Sequence, residues 1–389
     1  MLKYSKIGTS LLCLLFTFSV GSIDRIVQPK CLACEPADFP LDAAITDLVE
    51  AAISEGQTSG AVVLVADRSG ILYEKAFGYR LQSDEAEVMT VDTVFDLASI
   101  TKPVATATAV MHLFQEGKVD LDQPVSNYLP EFTGHGKESI LVSELLLHTG
   151  GLIPDNSLKD YQQGTQVAWE KICNLKMTAN RGERFMYSDV GFIVLGKLVE
   201  KISGLNLNQF TRQKIFEPLG MNETGFLPAS ELKQRAAATE KRQGQWMRGE
   251  VHDPRAYLMD GIAGHAGLFS TARDLAIFGQ SMLHQGEKHP MVLNPANFEV
   301  MTKPRETPRG TRTYGWDHRS PYSSNRGSNL SDEAFGHGGF TGTVLWIDPT
   351  KDRVFVFLSS RLHPDGKGSV NTLAGQIASL IGQNSPNQE

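Results

Sequence analysis

Asp96-Leu97-Ala98-Ser99-Ile100-Thr101-Lys102-Pro103 stands where an extended, turn-rich region gives way to a helical pattern running from about Thr101 to Glu116. Gly117 is a natural stop for that helix. Pro103 falls near the first turn, where a missing N–H costs least. Ser99 and Lys102 are three apart, so at the head of a helix both side chains lie on one face. A serine hydroxyl is a weak nucleophile until a base takes its proton. Lysine serves as that base only when burial or nearby positive charge keeps its amine partly neutral. Alone, S-x-x-K is a weak signal. The chain holds a second copy, Ser230 with Lys233, in a stretch that reads as a solvated helix face.

Upstream, Leu41, Ile45, Leu48, Val49, Ala52 and Ile53 follow a helical period closed by Gly56. Ala61–Ala66 and Ile71–Phe77 then read as a hairpin turned through Asp67-Arg68-Ser69-Gly70. Far downstream, Thr343–Ile347 and Arg353–Leu358 read as strands, and a last helix spans about Val370 to Leu380. The middle, roughly 100–330, reads as helices and long loops. The pattern predicts a mixed α/β (α+β) fold: one antiparallel sheet built from both chain ends, flanked by helices, with a helical lobe inserted between them.

A chain of 389 residues with 41% hydrophobic and 21% charged residues has ordinary globular composition. Its formal net charge of −7 and the lack of a long basic run exclude a nucleic-acid partner. Lys3 and Lys6 precede an apolar run from Leu11 to Val20, followed by the small residues Gly21 and Ser22. That pattern predicts a signal peptide over 1–22 and export to the periplasm or beyond the cell. The run is short for a membrane span. Residues 23–40 read as a linker, and 41–385 as the folded domain. Cys31 and Cys34 have metal-like spacing but no second pair to complete a zinc site. A local disulfide, two free thiols or a lipid on Cys34 all fit the pattern. No cofactor is expected, and membrane contact only through an uncleaved signal or such a lipid.

Two further clusters carry chemistry. Tyr187-Ser188-Asp189 opens a helix with an apolar stripe of Phe192, Leu195, Val199 and Ile202. Ser188 or Asp189 would cap it, while Tyr187 would present its phenol to a cleft. A tyrosine beside an ammonium can move protons, because positive charge favours the phenolate. Gly336-His337-Gly338-Gly339-Phe340-Thr341-Gly342 leads into a strand, where glycines permit close approach by a ligand and a backbone N–H can hold an oxyanion. His148 reads as a packing residue. His252, Asp253 and His265 lack the spacing of a metal motif, so no metal is expected. Thr271 with Asp274 reads as a helix cap, and Tyr322-Ser323-Ser324-Asn325 as a polar loop outside the site.

Together, Ser99/Lys102, Tyr187/Asp189 and His337/Gly338/Gly339 resemble the S-x-x-K, Y-x-N and K-T-G or H-x-G motifs of the serine β-lactamase and penicillin-binding family, in its class C and esterase-like branch. Phe95–Ser99, Leu146–Leu152 and Gly264–Thr271 match its flanking text, and the likeness covers about Leu41 to Leu380. Val251-His252-Asp253 and the glycines after it look most like low-molecular-mass D-alanyl-D-alanine carboxypeptidases. The resemblance implies a β-lactamase/transpeptidase-like fold and an acyl-enzyme mechanism. In it Ser99 attacks, Lys102 and Tyr187 move its proton, and the N–H groups of Ser99 and Phe340 hold the oxyanion. Asp189, His337, Gly338, Gly339 and Phe340 would line the substrate, a small ester or a peptidoglycan-derived peptide.

Two departures bear on this. Asp189 stands where the family has Asn, so it should raise the Lys102 pKa and shift work to Tyr187. His337 stands where many β-lactamases have Lys, so an anionic antibiotic should be held weakly unless Asp189 raises the histidine pKa. The rival expectation is a silent penicillin-binding or wall-sensing protein.

Overall fold

The computed structural model describes residues 39–288 and 290–384. The export signal, Cys13, Cys31, Cys34 and nearly all of the linker lie outside the described residues. No helix among the described residues is long and apolar enough to cross a membrane.

A nine-stranded antiparallel sheet joins both ends of the chain. In spatial order its strands are Glu87–Val88, Gly70–Leu81, Gly60–Asp67, Arg353–Ser359, Thr343–Asp348, Phe335–Gly339, Asp317–Arg319, Gly310–Arg312 and Arg305–Thr307. Phe357 lies opposite Val63 on one side and Val344 on the other, so strands from the two chain ends are immediate neighbours. In the first hairpin, Asp67 Oδ1 accepts from the backbone N–H groups of Ser69 (2.7 Å) and Gly70 (3.1 Å), which tightens the turn.

The unbroken apolar run Ala61–Ala66 is explained by cover on both faces. Ala61, Val63 and Val65 pack with Trp346, Phe355 and Phe357 in a core that includes Ile45, Val49, Leu373 and Ile377 of the helices Asp42–Ser54 and Asn371–Gln383. Val62, Leu64 and Ala66 belong to a larger core shared with the helical lobe. That lobe is centred on Asp189–Ser203, whose Phe192, Leu195 and Val199 are fully buried. Each such side chain contributes roughly 1.5–3 kcal/mol relative to exposure.

The stretch 100–330 is less uniform than expected. The strands Arg305–Thr307, Gly310–Arg312 and Asp317–Arg319 extend the main sheet at its edge. Phe95–Asp96, Leu268–Ser270 and Gly225–Phe226 form a second small sheet, and Ala238–Arg242 with Gln245–Arg248 a two-stranded one. All are short, and runs of two to five residues show no readable alternation. The expected helix from Thr101 is composite as well. It opens on a wide turn, Lys102–Ala107, with i→i+5 hydrogen bonds before regular α-helix over Thr108–Gln115. Thr108 Oγ1 donates to the Pro103 carbonyl at 2.8 Å inside this turn.

Candidate active site

The loop before Ser99 is fixed by one buried carboxylate. Asp96 Oδ1 accepts from the Ala98 N–H at 2.8 Å, and Oδ2 accepts from the His252 N–H at 2.6 Å. Ala98 has φ +45°, a conformation alanine adopts only under constraint, and Ser99 follows on a short 3₁₀ turn. Across the loop, Thr341 Oγ1 donates to the Asp96 carbonyl (2.7 Å) and Thr343 Oγ1 to that of Leu97 (3.1 Å).

Lys102 is wholly enclosed. Its Nζ donates to Ser99 Oγ at 2.9 Å and to the His265 carbonyl at 3.1 Å, and stands 2.6 Å from Asp189 Oδ1 as an ion pair. Burial alone pushes the lysine pKa down, but the charge of Asp189, helped by Tyr187, outweighs it and holds the amine above its usual range. The expectation for Asp189 is met in direction. Ser188 is the helix cap: its Oγ accepts from the Gly191 N–H at 3.1 Å and donates to the Ile153 carbonyl at 2.7 Å. That cap aims Tyr187 and Asp189 at the lysine.

The Lys102 ammonium lies 4.8 Å from the Tyr187 ring centroid. Burial raises the Tyr187 pKa, while Lys102 and a hydrogen bond with Ser99 oppose the rise. Tyr187 Oη is 3.5 Å from His337 Nε2. His337 Nδ1 lies 2.7 Å from the Gly338 carbonyl and must donate to it, which leaves Nε2 as an acceptor facing the phenol. The neutral imidazole expected here is met in direction, and the exception, a pKa raised by Asp189, is not found. Burial first, then Arg312 and Lys102, drive the His337 pKa well below 6.5, so the imidazole is neutral. Burial, reinforced by these two cations, decides its charge.

The glycines after His337 are required by the protein's own packing. A Cβ on Gly338 would stand 2.4 Å from Asn325 Nδ2, and one on Gly339 2.3 Å from the Leu97 carbonyl oxygen. Phe340 is 58% exposed on the rim, stacked on His252 at 5.5 Å with the Arg361 guanidinium 4.2 Å from its ring. Among the described residues no turn or loop hydrogen bond uses the N–H of Ser99 or Phe340.

Other residues fall as expected or not. Ser230 and Lys233 are exposed on a short helix. Thr271 caps Ala272–Leu283 by accepting from the Asp274 N–H. Asp189, Asp253 and His265 place ligand atoms within 4.8 Å of one another, the spacing of a cation site. The Lys102 ammonium, paired with Asp189 and bonded to the His265 carbonyl, already supplies the positive charge there. Tyr322 was missed. Its ring stacks on Tyr187 at 4.8 Å and meets Phe185 edge-on, so the loop that looked unrelated roofs the site. A lone tyrosine in a polar loop carried no signal of this.

The family model named Beta-lactamase matches residues 41–379. The chain is 32% identical to an N-acetylmuramyl-L-alanine amidase of Bacillus subtilis over 87% of its length and 86% of that protein. It is 32% identical to a protein of Escherichia coli K12 provisionally named D-alanyl-D-alanine carboxypeptidase, over 80% of each chain. A class C β-lactamase from Rhodobacter sphaeroides superimposes with a TM-score of 0.70 at 21% identity, over 86% of this chain and 97% of that one. The chain belongs to the Beta-lactamase family. The family is one of serine hydrolases with the mixed α/β fold described above.

Proposed function

We propose that the protein hydrolyses an ester or amide through an acyl-enzyme on Ser99. The carrying observation is the enclosed Lys102, whose Nζ donates to Ser99 Oγ at 2.9 Å while paired with Asp189. An ammonium so held orients the hydroxyl and stabilises negative charge, but it is not the base. The base is the Tyr187–His337 pair. As Ser99 Oγ bonds to the carbonyl carbon, its proton passes to Tyr187 Oη, and the phenolic proton passes to His337 Nε2. The carbonyl oxygen, now an oxyanion, is held by the N–H groups of Ser99 and Phe340. The leaving group then takes a proton from Tyr187, and the imidazolium returns its own to the phenol. Water repeats the sequence to release the acid.

The substrate class supported best is a peptide that ends in a carboxylate, as in D-alanyl-D-alanine, with neutral esters also cleaved. The relatives named above support it, and so does Arg312. That residue is fully enclosed and paired with Asp317 at 3.1 Å; its Nε and Nη2 have no hydrogen-bond partner among the described residues. Its charge acts on His337 and draws an anionic substrate end toward the strand edge. The neutral imidazole holds no carboxylate by charge, so the hold on any anionic end, a penicillin's included, rests on Arg312. The N-terminal pattern supports export, which N-terminal sequencing of protein from native cells tests.

The direct test is intact-mass analysis after exposure to an active-site phosphonate. Labelling that vanishes in Ser99→Ala and persists in Ser230→Ala supports the mechanism, with turnover lost by roughly 10³ to 10⁶ in the first variant only. No labelling of the native protein would point to a silent wall-sensing protein.

A further inference from the structure

His148 is a buried titratable group to which the proposed chemistry gives no part. It is 2% exposed, sits at φ +59°, and touches three consecutive residues of the tyrosine motif in three different ways. Its backbone carbonyl accepts from the Met186 N–H at 2.9 Å. Its ring Nδ1 accepts from the Ser188 N–H at 3.0 Å. Between these, its ring face stacks on Tyr187 with centroids 4.4 Å apart and planes 30° from parallel.

We infer that His148 is the positioning residue that sets where the Tyr187 phenol stands between Ser99 and His337. The inference rests on the acyl-enzyme reading above. The left-handed backbone is what lets one residue present its carbonyl and its ring to the same strand of chain. Because Nδ1 accepts, the ring is the neutral Nε2–H tautomer. Burial, with Arg312, Lys102 and His337 as the facing cations and titrating groups, keeps it neutral. A neutral ring places no second full charge beside the phenol, so the Lys102 ammonium remains the cation stacked on Tyr187. A phenol displaced by about 1 Å from Ser99 costs on the order of 10²-fold in rate, since the relay needs hydrogen-bond distances on both sides.

Three variants separate positioning from packing. His148→Ala removes ring and acceptor. His148→Asn tolerates the left-handed backbone and restores an acceptor oxygen where Nδ1 was. His148→Phe keeps an aromatic face but no acceptor. On a neutral ester, His148→Ala is expected to lower kcat by about 10²-fold with KM within about twofold, and His148→Asn to recover about tenfold of that loss. If the alanine variant does not fold, Asn against Phe decides: kcat of the Asn variant must exceed that of the Phe variant. Wild-type kcat in His148→Ala overturns the inference, and so does an Asn variant no better than Phe. Phosphonate labelling of Ser99 in the unmodified protein, run beside these assays, shows separately whether the acyl-enzyme reading itself stands.

Discussion

Lys102 Nζ and Asp189 Oδ1 stand 2.6 Å apart, the lysine sealed from solvent and the aspartate on the first turn of the helix that follows Tyr187. This pair holds the lysine in its ammonium form, which is the ground for proposing Tyr187 and His337 as the base. A buried lysine facing no anion loses its proton easily; this one keeps it.

Asp189→Asn removes the largest influence opposing burial, so the Lys102 pKa should fall. The ammonium is the working form, and it would then be lost at lower pH than in the unmodified protein. The alkaline limb of kcat/KM on a neutral ester should move toward neutrality, with activity at pH 9 falling more than at pH 7. A limb that stays in place would sink this, and a gain of activity at high pH would return the role of base to the lysine.

Stability should fall as the medium is acidified. His148 and His337 are neutral in the folded protein because burial, then nearby cations, depress their pKa. In the unfolded chain they titrate near 6.5. Below that pH the unfolded state binds more protons, so the folded state loses up to about 1.4 kcal/mol per pH unit for each histidine. The contribution is fully present above 6.5 and erodes as pH drops. Urea midpoints from pH 7.5 to 5 test this, and His337→Gln should flatten the slope. An unchanged slope in that variant contradicts the assignment.

Gly339→Ala should be far more damaging than Gly182→Ala. The added methyl at 339 meets the Leu97 carbonyl at 2.3 Å and Thr343 Oγ1 at 2.1 Å, displacing the loop that carries Ser99. At 182 it meets nothing within 4 Å, and only the strain of φ +73° remains, about 1 kcal/mol. Melting temperatures and phosphonate labelling compare the two. Equal effects would mean that Gly339 is not pressed against the nucleophile loop.

Arg312→Met should discriminate between two substrates that differ only in their terminal group. For a D-alanyl-D-alanine peptide, kcat/KM should fall at least several-fold more than for its C-terminal amide, whatever the common loss from disturbed folding. Equal losses on both would show that the arginine holds only Asp317 and the sheet edge.

Much of this was legible because each motif has a local cause. The strands Gly60–Asp67 and Arg353–Ser359 are apolar over 61–66 and 354–358 since both faces are covered there. Ser188 caps its helix as its position before an apolar stripe suggests. What could not be read depends on contacts between distant segments. The charge on His337 is set by its burial and then by Arg312, on a three-residue strand with no alternation to betray it, and Tyr322 reaches Tyr187 across the cleft. The close packing at Gly338 and Gly339 was hidden for the same reason. Their neighbours are Asn325 and Leu97, and no inspection of the glycines themselves supplies those partners.

The props under the nucleophile loop have a consequence for how this enzyme comes into being. Thr341 holds the Asp96 carbonyl from 245 residues away, and Thr343 holds Leu97 from 246. A ribosome that has made the serine, the lysine and the tyrosine has still not made the residues that lock the serine loop. Until the last strands emerge, the chain also lacks the neighbour that completes its central sheet. Such long closures are slow to form and leave strand edges open meanwhile. Hydrolytic competence is therefore a late event in the life of the chain, waiting on the segment that carries Thr341 and Thr343.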